Sequence, residues 1–243
     1  MESRIARELQ MKFEPVAVIF TDELPPDALQ FKEGKWGCVI AMLTAAAKGR
    51  ITAFSRETCG CGGGRVGLGF GGFLEGMQGG IEYFLSTGRE GHLEGEGYKK
   101  TPEIAKSFVD QLPVMDIPYT YVVFKPLSLA DPEKETLQLV IFYVNADQLT
   151  ALVVLANYDD PNSSSVFIPQ ASGCQSVCLI PFNESQRERP RAVVGLMDVS
   201  ARPYVDLGIL AFTVPYRMFL EMEANVPGSF FEKEAWSKVK KRL

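Results

Sequence analysis

Five cysteines carry most of the chemistry open to this sequence: Cys38, then Cys59 and Cys61 with one glycine between them, then Cys174 and Cys178 four residues apart. A thiolate is both a nucleophile and a soft metal ligand, and it forms where its charge is stabilised. Cys38 and Cys174 each open a predicted helix, where aligned peptide dipoles favour the anion, so these two are expected to ionise most readily. At helical spacing Cys174 and Cys178 share one face and suit two ligands of one centre. Cys59-Gly60-Cys61 begins a flexible glycine loop that could wrap around it. With one histidine in the chain, a thiolate set points to an iron–sulfur cluster before zinc. The plainer reading makes each cysteine a small buried hydrophobe with no cofactor at all. The spacings match neither a ferredoxin-type run nor a paired C-x-x-C zinc site.

The glycine loop is the second candidate. Residues 60–80 hold 11 of the 22 glycines, as is needed where backbone turns with positive φ or approaches a partner closely. Gly62-Gly63-Gly64-Arg65-Val66-Gly67 and Gly67-Leu68-Gly69-Phe70-Gly71-Gly72 both fit G-x-G-x-x-G. A dinucleotide turn should open a well-formed helix, however, and Gly69 to Gly80 is a poor helix former. The alternative to a metal centre is therefore a metal-free small-ligand module, in which Gly62, Gly63, Gly64, Arg65 and Gly67 cradle an anion. A thiol-dependent enzyme using Cys38 or Cys174 is the third reading. His92, its one available base, reads as an exposed loop residue. No G-x-S-x-G elbow, Walker lysine or H-E-x-x-H occurs. Glu90, Glu94 and Glu96 read as the solvated face of a polar loop, 86–100, or as a mobile lid.

The elements that must hold these residues follow from hydrophobic periodicity. A short helix over 3–11 carries Ile5 and Leu9, and 15–20 reads as a buried strand. Helix 38–48 lies between Gly37 and Gly49, and strand 51–54 follows it. Thr101-Pro102-Glu103 starts a helix whose buried face is expected at Ile104, Phe108 and Leu112. Strands 119–124 and 137–144, helix 146–158, strand 166–168 and a helix from Cys174 come next. Strands 192–197 and 208–213 and helices over 216–223 and up to Leu243 complete the reading. The fold class is α/β (mixed α+β), packed as one domain. An internal duplication is suggested, with pseudo-repeat halves at about 14–85 and 137–220. It pairs Cys38 with Cys174 and Leu68-Gly69-Phe70 with Leu210-Ala211-Phe212.

A chain of 243 residues, 46% hydrophobic, can bury a sizeable core. Its net charge of −5 argues against nucleic acid or an anionic membrane as partner. The apolar runs are too short to cross a bilayer, and the charged N-terminus is unlike an export signal. A cytoplasmic, reducing location is expected, with free thiols in place of disulfides. A small molecule or a redox partner suits such a protein; the oligomeric state is left open.

Trp36-Gly37-Cys38, Ala45-Ala46-Ala47-Lys48-Gly49, Arg56-Glu57-Thr58, Gly60-Cys61-Gly62-Gly63 and Gly173-Cys174-Gln175-Ser176 resemble the prokaryotic family called domain of unknown function 169. Later segments agree, among them Val154-Leu155-Ala156-Asn157-Tyr158 and Phe212-Thr213-Val214-Pro215-Tyr216. The resemblance covers nearly the whole chain and implies one unit over 1–243. It carries no established activity, and its members are common in anaerobic bacteria and archaea, a setting compatible with an oxygen-sensitive cluster. It implies that Cys38, Cys61 and Cys174 stand at the family's cysteine positions. Other members have a cysteine near Asp198 and another at the position of Cys178, whereas the position of Cys59 is commonly apolar. The resemblance thus implies three thiolates with an open or non-cysteine fourth position.

Overall fold

The computed structural model describes residues 1–72 and 79–243 of the chain. Seven strands lie in it: β1 (Val16–Thr21), β2 (Thr52–Phe54), β3 (Tyr121–Pro126), β4 (Leu137–Val144), β5 (Val166–Phe167), β6 (Ala192–Gly195) and β7 (Leu210–Pro215). The helices are α1 (Arg4–Glu8), α2 (Val39–Ala47), α3 (Gly62–Gly67), α4 (Ile81–Phe84), α5 (Pro102–Val109), α6 (Ala146–Ala156), α7 (Ile180–Ser185), α8 (Tyr216–Asn225) and α9 (Glu234–Lys240). The strands form one mixed sheet in the order β2-β3-β1-β4-β7-β6-β5. Its neighbours run antiparallel except β5 and β6.

Both faces of this sheet are buried, which is why its central strands read as continuous apolar runs. In β1, Val16, Val18 and Phe20 point to one face, and Ala17 and Ile19 to the other. In β4, Leu139, Ile141 and Tyr143 join the first set, and Val140, Phe142 and Val144 the second. Helices α1, α6, α8 and α9 cover the second face with Ile5, Leu152, Leu155, Phe219 and Trp236. The first face is covered by α2 through Val39, Ile40 and Leu43, and by the segment carrying Cys174, Val177 and Cys178. The result is a three-layer α/β architecture with a core on each side of the sheet. All the candidate cysteines lie on the first face or above it.

Most elements fall where the periodicity places them, and the departures have local causes. Thr101 caps α5 as expected, its side chain accepting from the Ile104 amide. The buried residue of α5 is Ala105, however, and Ile104 is exposed. The helix packs on α4 outside the sheet layers, so one small residue suffices for its inner face. The helix at Cys174 begins as expected but winds as a π-helix over Gln175–Leu179 before α7. Pro181 lacks the N–H that would bond the Val177 carbonyl, and its ring would crowd that carbonyl, so the preceding turn is wider.

The internal duplication expected over about 14–85 and 137–220 is not shown by the strand order. β1, β2 and β3 lie in the order β2-β3-β1; β4, β6 and β7 lie in the order β6-β7-β4; the halves meet where β1 pairs β4. Leu68–Phe70 forms no strand; Phe70 makes a single bridge to Asp116. The segment 73–78, part of the glycine stretch read as a poor helix former, lies outside the described residues.

Candidate thiol site

Three helical starts meet above the first face of the sheet, each carrying a cysteine. Cys38 is the N-cap of α2, and Cys61 is the N-cap of α3, its sulfur accepting the Gly64 N–H at 3.3 Å. Cys174 lies in the first turn of the next helical segment. Ser172 and Gln175 cap that turn reciprocally, Ser172 Oγ accepting the Gln175 amide and Gln175 Oε1 the Ser172 amide, each at 3.3 Å.

The segments touch because glycines let backbones approach. A Cβ on Gly67 would lie 2.5 Å from Cys174 Cβ, and one on Gly64 would lie 2.8 Å from Val39 Cγ2 and 3.2 Å from Cys59 Sγ. The loop expected from the glycine content is therefore, from Gly62 to Gly67, a helix. Intrinsic propensity disfavours it, but close packing on α2 and on the Cys174 turn outweighs that preference. Its amides are spent accordingly: the Arg65 N–H donates to Cys61 O, and the Leu68 N–H to Gly64 O. Gly62, Gly63, Gly64, Arg65 and Gly67, the residues of the expected anion cradle, thus lie in a helical turn, with Arg65 exposed towards its end.

Cys38 and Cys174 do not ionise readily, contrary to the dipole argument. Burial pushes the Cys38 thiol up; the amides of Ala41 and Ile40 pull it down, and the charges of Cys61 and Asp198 push it up again. Cys174, 8% exposed, is raised well above its ordinary value by burial and then by the charges of Cys61, Cys38, Cys59 and Asp198. Burial also raises Cys59 to about 11, and its S–H donates to the Cys61 carbonyl at 3.8 Å. Desolvation outweighs a short helix dipole here. Cys178 is raised to about 12 by burial alone, with no charge of another cysteine acting on it. It is fully buried in the core of the first face, which Cys174 also joins. All five cysteines are free.

Tyr98, to which the sequence reading gives no role, and Asp198, named there only as near a cysteine of other family members, complete the surroundings. Asp198 caps the 3-10 turn Val199–Tyr204, and its Oδ2 accepts the Gly173 N–H at 2.9 Å, beside Cys174. Tyr98, from the polar loop, donates to Asp198 Oδ1 at 3.2 Å and accepts the Ser200 amide at 3.0 Å. Burial raises the Tyr98 hydroxyl, with the charge of Asp198 adding to the effect. The signals were the Asp-x-Ser of Asp198 to Ser200, a local capping pattern, and the Ser-x-x-Gln of Ser172 to Gln175. His92 is exposed in a turn closed between Arg89 and Leu93, as are Glu90, Glu94 and Glu96 around it.

Among the described residues no three His, Cys, Asp or Glu side chains stand close enough to hold a single metal ion. No helix among them is long and apolar enough to cross a membrane. Residues 4–225 match the family model described as domain of unknown function 169, uncharacterised ArCR. No curated protein and no solved structure matches the chain.

Proposed function

We propose, for a chain that belongs to the domain of unknown function 169 family, that Cys38, Cys61 and Cys174 ligate an iron–sulfur cluster. The observation that carries this reading is that α3, which Cys61 opens, packs on Cys174 at Gly67 and on Val39, the residue after Cys38, at Gly64. Thiols gathered in a buried place repel one another as anions, and a bound cation reverses that repulsion and deprotonates them. The donor set suits iron and sulfide: soft sulfur ligands, with the Gly64 amide already bonded to Cys61 Sγ. Metal uptake releases the thiol protons to solvent, so it strengthens as pH rises.

Cys59 supports Cys61 from beside the site, and Cys178 belongs to the core. If bound, such a cluster would supply either an iron not held by cysteine, open to a small molecule, or a centre for electron exchange with a redox partner. A cytoplasmic location, which keeps five thiols reduced, accords with this. The metal-free anion module at Gly62, Gly63, Gly64, Arg65 and Gly67 is the second reading; there the Gly64 amide is bonded to Cys61 Sγ and the Arg65 amide to Cys61 O.

The test is iron and acid-labile sulfide content and the visible spectrum of anaerobically purified chain, before and after reconstitution with ferrous iron and sulfide. Iron and sulfide in equal amounts with broad visible absorption are expected, and are lost when Cys38, Cys61 and Cys174 are replaced together by serine. A colourless protein that resists reconstitution refutes the reading.

A further inference from the structure

Cys59 and Cys61 are brought together by the chain itself, without help from a distant segment. One glycine separates them, so their Cα atoms lie within about 7 Å of each other, inside the reach of a disulfide. Their side chains turn towards the same neighbour. The Gly64 N–H donates to Cys61 Sγ at 3.3 Å. A Cβ on Gly64 would lie 3.2 Å from Cys59 Sγ and 3.3 Å from Cys61 Cβ, so a side chain there would wedge between the two residues. The Cys59 S–H, for its part, donates to the Cys61 carbonyl at 3.8 Å.

The two thiols differ in access. Cys59 is 2% exposed, whereas Cys61 is half-buried and open to solvent. A dithiol needs that division: an accessible sulfur attacks an outside disulfide, and a shielded one attacks only the intermediate formed beside it. The spacer between them is held in place. A Cβ on Gly60 would lie 2.3 Å from the Lys35 carbonyl oxygen, so the backbone here is pressed against that of residues 35 and 36. The Cys59 N–H donates to the Ser55 carbonyl at 3.0 Å and fixes the other end. A bridge across a single residue closes a small ring, and strained or exposed bridges are the labile ones that free thiols reduce again.

We infer that Cys59 and Cys61 form a redox-active dithiol whose substrate is a small-molecule disulfide, a role that does not rest on the cluster. Cys61, as the thiolate, attacks one sulfur of R–S–S–R, forming the mixed disulfide Cys61–S–S–R and releasing R–S⁻. Cys59 gives its proton to that R–S⁻ and attacks the Cys61 sulfur. The Cys59–Cys61 bond forms, the bond from Cys61 to S–R breaks, and the second R–S⁻ leaves and takes a proton from solvent. Two thiols of the chain have then lost two electrons, and one outside disulfide has become two R–SH. Once bridged, Cys61 has no thiolate to offer a metal, so oxidation and cluster uptake exclude each other.

The experiment exposes the full, reduced, metal-free chain to excess oxidised glutathione, quenches with acid, blocks the remaining thiols with N-ethylmaleimide in urea, and maps the tryptic peptides by mass spectrometry. Trypsin cuts after Arg56 and Arg65, so the peptide 57–65 carries Cys59 and Cys61 and no other cysteine. In the wild type it should be two hydrogens lighter than the reduced peptide, with neither maleimide nor glutathione attached. Cys59→Ser should halt the reaction at the mixed disulfide, with one glutathione on Cys61. Cys61→Ser should slow the loss of the Cys59 thiol at least about tenfold, since the buried sulfur must then meet glutathione directly. Should either variant fail to fold, as judged by circular dichroism, the wild-type map carries the test. A peptide 57–65 that stays reduced, keeps glutathione on Cys61, or is linked to Cys38 or Cys174 overturns the inference, as does equal loss of the Cys59 thiol in Cys61→Ser and the wild type. No metal enters this test, so its failure is distinct from failure of the iron and sulfide assay.

Discussion

Replacing Gly67 by alanine is expected to push α3 off the Cys174 turn. The new Cβ would lie 2.5 Å from Cys174 Cβ and 2.8 Å from both Cys174 C and Gln175 N. Carbon atoms rest at about 3.5–4.0 Å, so the two segments must separate by about 1 Å. Two of the three contacts are backbone atoms, which no change of rotamer removes. Overpacking of this kind costs about 1–3 kcal/mol. Alanine returns up to about 1 kcal/mol of helix propensity, so that with all of it returned the net loss is about 0–2 kcal/mol. For a chain of this size that lowers the melting temperature by up to about 8 °C. Gly63→Ala is the internal control, because a Cβ there meets nothing within 4 Å. Propensity alone then acts, and this variant should gain up to about 1 kcal/mol. Urea unfolding of the metal-free chains, followed by circular dichroism, measures both. If Gly67→Ala proves as stable as Gly63→Ala, α3 does not pack on the Cys174 turn and the meeting of Cys61 with Cys174 falls with it.

Three further outcomes follow from the same geometry. Cys38, Cys59 and Cys174 of the metal-free chain should react with iodoacetamide at pH 7.5 far more slowly than in urea, because burial raises each thiol; mass spectrometry showing equal rates in both states would contradict the burial. Cys59 and Cys178, raised to about 11 and about 12 from an ordinary value of 9.0, hold their protons more tightly folded than unfolded. The stability they contribute is thus complete below pH 9 and declines as pH rises from 9 through 11 and 12, a loss that unfolding curves at pH 8 and 10.5 will register unless the thiols are already exposed. Cys178→Ala should cost about 1 kcal/mol of stability and leave iron content after reconstitution unchanged; a loss of iron would return Cys178 to the ligand set.

The sheet was largely legible because its strands are buried on both faces. Runs such as Leu139–Tyr143 announce themselves in any α/β arrangement. Caps were legible for the same local reason, since Thr101 needs only its own third neighbour to act. What misled the reading was anything decided by a distant segment. Gly62–Gly67 is helical only because Val39, Cys59 and Cys174 close in on it, and no window of sequence contains all three. Ile104 was assigned inward by periodicity, but the sheet it would face is not beneath α5.

The amino-acid sequence by itself determined a two-sided α/β core, free cysteines among glycines, and the identity of Cys38, Cys61 and Cys174 as the residues to watch. Only the tertiary structure decided that α2, α3 and the Cys174 turn converge, and that Asp198, which accepts the Gly173 N–H, stands beside Cys174 with Tyr98 bonded to it. It also reversed the expected ionisation of Cys38 and Cys174. The physical reason is one of range: hydrogen-bonded caps and periodicity act over a few residues and are written locally, whereas burial and charge act through space. Where desolvation competes with a helix dipole, the depth to which the fold places the sulfur decides, and that depth is set by side chains far away in the chain.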